Sequence, residues 1–460
     1  MSSTSVTADQ KRPQAFILTG AFRVLCRNHR YLTELAARGL AILVLTPESS
    51  REQATSVLEK YEDFRSAISD VAYVDGTMEF ESTFTAGAFA AIARWRRQYR
   101  IVGAFAMEEM LVEPTGLLCD ALGLRSAGLR ASRVCRSKYL QRAYLDEVSP
   151  ASLTIPAEDR DAFDPHVLAF PVVLKPAARH ASSGVVSCDS GQELGAAMAG
   201  YPDHETLLVE QKVVGQEFSV EALVQDGRVV FASVTEKRTT GSHSRAFVEL
   251  AHTVPAGDSL SDRSPVAGTL IAANRRVLDL LDYRNGITHS EWRIAQDGKP
   301  YLIEIASRTP GDGITLLYAL ACAEALEPQI VRGALGEPVS YPAPQRFARQ
   351  VYLEHTPGVL RDVAVDWVGL EPQWIGANDL WPALQPGSPG DAAALRGVLV
   401  LRERGALVRP LRSSDDRVVT FFIDADTIWE LDDLEERVRA AITITIDGAD
   451  VLRHAEAVPC

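Results

Sequence analysis

Cysteine is sparse, and none of it is arranged as a metal clamp or a redox pair. Cys26, Cys119, Cys135, Cys188, Cys322 and Cys460 stand far apart with no CxxC spacing. A zinc ribbon and a disulfide scaffold are therefore excluded, and the pattern fits a reduced, cytoplasmic protein whose thiols serve as small buried hydrophobes. No apolar run approaches the about 20 residues that cross a bilayer, so no membrane partner is expected. Positive charge is also short: 47 Lys and Arg against 61 Asp and Glu leave a net charge of −14. That balance opposes a phosphate backbone and argues against nucleic acid as a partner. A secretory signal is missing too, because MSSTSVTADQKRPQ is polar and Ser/Thr-rich, so residues 1–14 read as a disordered leader. The first apolar run ends in TGAF instead of GxGxxG, and no dinucleotide is assigned to it.

What remains is a chain of 460 residues, 46% hydrophobic and 23% charged, long enough for about three domains. In residues 15–125 the runs AFILTG, AILVLTP, DVAYVDG and IVGAFAM alternate with helical stretches, through RNHRYLTELAARG and across residues 82–98. This pattern predicts a parallel sheet built from βαβ units. Residues 126–147 are basic and helical, and the short strands that follow, with one helix near QELGAAMAG, read as α+β. After about residue 338 the Pro-bearing SYPAPQ leads into a separate, β-rich C-terminal lobe.

The stretch HSEWRIAQDGKPYLIEIASR, residues 289–308, alternates apolar and polar positions around Asp297-Gly298. A two-residue turn there pairs Glu291 with Glu304, Trp292 with Ile303 and Ile294 with Tyr301. His289, Glu291, Glu304 and Ala306 then share one face. Two carboxylates roughly 5 Å apart repel unless a proton or cation lies between them, and Mg2+ or Mn2+ suits the site. The alternative is an exposed face screened by Arg293 and solvent.

Two further stretches carry charge at strand ends. FPVVLKPAARHASSGVV places Lys175 after an apolar strand and before a small-residue loop. Such a loop lets backbone N–H groups approach an anion, although an ordinary hairpin loop reads the same way. In LLVEQKVVGQEFSVEAL, Glu210 and Glu217 flank a connection between strands, where one could accept from an adenine amino group or ribose hydroxyls. A salt bridge to Lys212 is the plainer reading.

The order of Lys138, Lys175-Pro with its loop, VEQKVVGQEFSVE, THSEWRI and LIEIASRTPGDGI resembles the ATP-grasp superfamily of carboxylate–amine ligases, in particular the amino-acid ligase branch. The resemblance spans about residues 110–335. It implies an α/β and α+β multi-domain fold. An N-terminal parallel α/β domain (15–125) precedes linker helices and a lid (126–212), then a large antiparallel-sheet catalytic subdomain (213–338) and the β-rich C-terminal lobe (339–460). It implies that Lys138 and Lys175 contact ATP phosphates under a flap of Ser182, Ser183 and Gly184. Glu210, Gln211 and the backbone through Val213 form the adenine hinge, Glu217 binds ribose, and Glu291 and Glu304 hold Mg2+ or Mn2+. Arg308 stabilises the transferring phosphoryl group or the acyl phosphate.

Small-molecule acid and amine substrates are implied, with a homodimer as a common arrangement. In residues 234–256, Glu249 is expected to pair with a substrate ammonium, His252 to shape the pocket, and Lys237 or Arg238 to meet a carboxylate. Asp312 either caps the following helix or stands where its amides hold an anion. Two departures stand out. Ala306 replaces the asparagine of E-x-N-x-R, opposite a His289 that either orients substrate or packs beside the site. The flap AARHASSG has one glycine, which would leave Arg179 or His180 aimed at substrate. Two rivals remain: a biotin-carboxylase-like or purine-pathway enzyme using bicarbonate or formate, and a catalytically silent nucleotide-binding scaffold.

Overall fold

A computed structural model of the protein describes residues 12–165, 169–179, 183–240, 247–257, 260, 264–376 and 379–448. Strands β1 (Gln14–Thr19), β2 (Ala41–Pro47), β3 (Ile68–Val74) and β4 (Arg100–Ala106) form a parallel sheet in the order β3-β2-β1-β4. β1 is buried from Ala15 to Thr19 without alternation, as expected of a strand covered on both faces. The expected basic helical stretch is two short helices, Leu129–Val134 and Lys138–Tyr144. The break falls where the Ser137 hydroxyl accepts from the Leu140 amide and starts a new helix.

The lid is an antiparallel sheet of β5 (Ser152–Ile155), β6 (Val172–Pro176), β7 (Val186–Cys188) and β8 (Leu207–Gln211), ordered β5-β8-β6-β7. Leu174, Leu194 and Val209 lie in its small core.

β9 (Gly215–Gln225), β10 (Arg228–Thr239), β11 (Glu249–Val254), β12 (Gly286–Ala295) and β13 (Pro300–Ala306) form the first part of a large central sheet. The expected separation of the C-terminal lobe does not hold. β14 (Phe347–Leu353) pairs with β11, and β19 (Val419–Ala425), β17 (Ala394–Val400) and β16 (Gln373–Trp374) extend the same sheet to nine strands. Only β15 (Gly358–Val365), β18 (Leu407–Val408) and β20 (Ile442–Asp447) form a sheet of their own. The prolines of SYPAPQ mark a change of chain direction; the buried edge of β11 takes its hydrogen-bond partner from beyond them. Under this sheet the helix Ile314–Cys322 is apolar on all sides and buried at every position. Among the described residues no single helix is long and apolar enough to cross a membrane.

The β12–β13 hairpin pairs Glu291 with Glu304 and His289 with Ala306, as the alternation predicts. The other expected pairs are corrected, because Trp292 faces Leu302 and Ile294 faces Pro300. The turn is one residue longer than expected: the Ala295 amide bonds the Lys299 carbonyl at 3.0 Å, and Gly298 sits at φ +82. A bulge at Ile303 absorbs that residue and returns the two glutamates to register.

Candidate active site

Lys138, Lys175, Glu210, Glu217, Glu291, Glu304 and Arg308 all line one cavity of about 260 Å3 between the lid, the central sheet and the N-terminal domain. Lys175 ends the buried strand β6, its Nζ 2.8 Å from Glu210 Oε2. The other Glu210 oxygen accepts from Arg142 Nε at 2.7 Å. Burial pushes the Lys175 ammonium down to about 8 against the pull of Glu210. Burial alone would raise the Glu210 carboxyl, but Arg142 and Lys175 more than reverse it and leave it at about 2. The Glu210 side chain is thus locked in an ion cluster, with neither Lys212 nor an open face as its partner. In the hinge the Gln211 amide donates to the Ala151 carbonyl at 2.8 Å, while the Val213 carbonyl accepts from Arg293 at 3.3 Å.

Lys138 Nζ lies 2.6 Å from the Arg179 carbonyl and 3.1 Å from Glu304 Oε1. Ser183 lines the cavity and Gly184 is exposed at φ +73; Ser182 and His180 lie outside the described residues. Arg179 lines the cavity, its guanidinium paired with Glu205 at 2.6 and 2.7 Å.

Glu291 Oε1 accepts from Lys237 Nζ at 2.6 Å. Lys237 also lies 3.4 Å from Glu217 and 3.6 Å from Glu249. Burial works against its charge, yet the three carboxylates hold its pKa well above the usual lysine value. Lys237 is therefore a hub for glutamates, and Arg238 points away from the cleft to Glu435 at 2.6 Å. Neither holds a free charge for a substrate carboxylate, because adjacent residues of β10 face opposite sides and each finds its own acid. Glu217 is also held by Arg293 Nη2 at 2.6 Å.

His289 Nδ1 meets Glu221 Oε1 at 2.7 Å, and Nε2 faces Glu291 at 3.4 Å. Glu221, absent from the sequence reading, is fully buried and accepts from Ser219, Thr235 and Tyr318 at 2.8, 2.5 and 3.0 Å. Its only sequence signal is a glutamate inside the apolar run FSVEALV. Arg308 Nε donates to Glu109 of the N-terminal domain at 2.8 Å, another residue the motifs did not point to.

The cavity also draws on the C-terminal lobe, through Ser414, Asp415 and Arg417. Arg417 grips Asp312 at 2.6 and 2.9 Å and stacks on Tyr352 with its guanidinium carbon 3.8 Å from the ring centre. Asp312 also meets His252 Nε2 at 2.8 Å. Its side chain does not cap the following helix, whose N-cap is Gly313. Ser414 donates to Glu249 at 2.6 Å. Sequence motifs ended near residue 335 and gave no warning of Arg417 or Ser414.

The donor set fits a hard divalent cation carried with phosphate. Glu291 and Glu304 face each other and supply carboxylate oxygens, and the remaining ligands would come from phosphate and water. Among the described residues no three His, Cys, Asp or Glu side chains converge as a self-sufficient metal centre.

Comparison with known proteins agrees with this architecture. The family description "ATP-grasp domain" matches residues 168–316. The alanine–anticapsin ligase of Bacillus subtilis is 22% identical over 317 residues, covering 58% of this chain and 65% of that protein, just under two thirds of its length. The crystal structure of the L-amino acid ligase from Bacillus licheniformis superposes with a TM-score of 0.72 at 18% identity, over 95% of this chain and 100% of that one. The phosphoribosylglycinamide synthetase from Anaerococcus prevotii follows with a TM-score of 0.63 at 13% identity, over 95% and 100% of the two chains. Residues 168–316 thus carry an ATP-grasp domain, and the chain is distantly similar to an alanine–anticapsin ligase in sequence and to an L-amino acid ligase in fold.

Proposed function

We propose that the protein is an ATP-dependent ligase that joins a small carboxylic acid or amino acid to an amine or amino acid. The observation that carries this reading is a single charged cavity. Its lining gathers Lys138, Lys175, Glu291, Glu304 and Arg308 together with Glu249, His252, Asp312 and Arg417, and Lys237 stands between Glu291 and Glu249.

In the reaction a substrate carboxylate oxygen attacks the γ-phosphorus of ATP and the bond to the β-phosphate oxygen breaks, giving an acyl phosphate and ADP. The amine nitrogen then attacks the acyl carbon, phosphate leaves, and the nitrogen gives up a proton. Lys138 and Lys175 neutralise charge on the transferring group, and Arg308, oriented by Glu109, faces the same place. Glu291 and Glu304 would hold Mg2+ or Mn2+, which screens the phosphate oxygens from the incoming carboxylate. The glutamates keep Lys237 charged, and His289, anchored by Glu221, fixes the Glu291 carboxylate.

The test is to incubate the protein with ATP, Mg2+ and a panel of acids and amino acids, singly and in pairs, and to follow ADP and phosphate. Release that requires two substrates is expected. Bicarbonate-dependent release would favour a carboxylase-type reaction, and ATP binding with silence across the panel would favour a scaffold.

A further inference from the structure

Arg142 has no place in the roles assigned so far. It lies one turn beyond Lys138 in the helix Lys138–Tyr144 and is 6% exposed. Its guanidinium reaches two separate parts of the fold. Nε donates to Glu210 Oε1 on β8 at 2.7 Å, and Nη2 donates at 2.5 Å to the carbonyl of Ile303, the extra residue of the β13 bulge. Glu210 Oε2 is left for Lys175 at 2.8 Å. One side chain thus ties an inner strand of the lid to the edge strand of the central sheet. The carboxylate it grips is the one that holds the lysine at the end of β6. Glu210 and Lys175 stand on the cavity wall, and Arg142 sits behind them.

The charges add a second point. Arg142 cannot shed its proton, so two cations share one carboxylate. With the guanidinium occupying Glu210, the Lys175 ammonium is left only partly neutralised and is available to an anion. Without it, Glu210 and Lys175 would close into a neutral pair with less reason to face a phosphate. A lysine in place of Arg142 would not serve both acceptors, because it lacks the planar fork.

We propose that Arg142 is a positioning residue for nucleotide binding, holding Glu210 between the lid and the bulge so that the Lys175 ammonium faces the phosphate end of the cavity. This rests on the reading of Lys175 as a phosphate contact. The groups facing Lys175 are Glu210 on β8, Arg142 on its helix and Glu304 on β13. Burial and Arg142 lower its pKa to about 8 while the two glutamates oppose them, so nucleotide affinity falls as pH rises through about 8.

The experiment is a calorimetric titration of the full chain with ATP and excess Mg2+, from about pH 6.5 to about pH 9.5. Arg142→Gln is expected to bind about tenfold more weakly at neutral pH and to move the alkaline midpoint upward, because a cation beside Lys175 is gone. Arg142→Lys keeps the charge and loses one acceptor, so it weakens binding and leaves the midpoint in place. A merely structural role would weaken binding in Arg142→Gln without moving the midpoint, and the absence of either change overturns the proposal. If Arg142→Gln does not fold, Arg142→Lys decides: weaker binding supports the clamp and wild-type affinity sinks it. Lys175→Met separates the two readings, since wild-type affinity in that variant sinks the phosphate role of Lys175 itself.

Discussion

Carboxylates crowd this cleft, and each is stable because a cation stands beside it. Glu291 rests on Lys237 and Glu304 on Lys138, at 2.6 and 3.1 Å. Removing the charge of Glu304 takes away one of the two facing oxygen donors while preserving shape. Glu304→Gln is therefore expected to lower turnover by at least about 100-fold with an unchanged thermal midpoint; phosphate release from the active substrate pair measures it, and a fully active variant would sink the metal assignment. Glu210 makes a pH-dependent prediction. Its folded-state pKa is lowered from 4.5 to about 2, so the stability it contributes is present above pH 4.5 and is lost as pH falls toward 2. Urea denaturation of the wild type and Glu210→Gln at several pH values should show their stability difference shrinking below pH 4.5. A gap that stays constant with pH would mean that Glu210 is not held by its cations. Both residues were legible as acids at strand positions, but their partners were not, because Lys138 and Arg142 approach from a helix more than 60 residues away in sequence, at a separation of 68 for Arg142 and Glu210.

The hairpin shows how far alternation reaches at the scale of an element. Period-2 patterning put Glu291 opposite Glu304 correctly, although the turn was one residue too short. Two deviations cancel: the longer loop with Gly298 in the left-handed region, and the Ile303 bulge. A sequence pattern records which face a residue must occupy, and it does not record where an extra residue is absorbed. Nothing lies within 4 Å of a Cβ built on Gly298, so only its φ of +82 constrains it. Gly298→Ala should cost about 1 kcal/mol in chemical denaturation, and Gly298→Asn, which tolerates that region, a smaller amount. Equal losses in the two variants would place the constraint in packing.

For the whole molecule, the C-terminal lobe is part of the platform. Four of the nine strands of the central sheet, β14, β19, β17 and β16, come from beyond residue 338. A chain ending at residue 338 would expose the edge of β11 and the part of the main hydrophobic core, around Val254 and Leu317, that Ala348, Leu399 and Phe422 complete. It is expected to aggregate or to unfold without cooperativity, as read by size-exclusion chromatography and thermal scanning; a monodisperse, cooperatively melting fragment would show that the sheet divides there. The prolines of SYPAPQ looked like a domain boundary because proline interrupts strands and linkers alike.

The amino-acid sequence by itself determined that Glu291 faces Glu304, because facing is a local property that acts over a few residues along a strand or turn. The resemblance of motif order pointed to Lys138, Lys175 and Arg308, and the fold brings all five to one cavity. Only the tertiary structure decided the rest: that Arg308 leans on Glu109, 199 residues away, that Glu221 anchors His289, and that Arg417 reaches from the C-terminal lobe to Asp312. Those pairs form where separately folded elements pack, and no pattern within either element records which charge the other will bring.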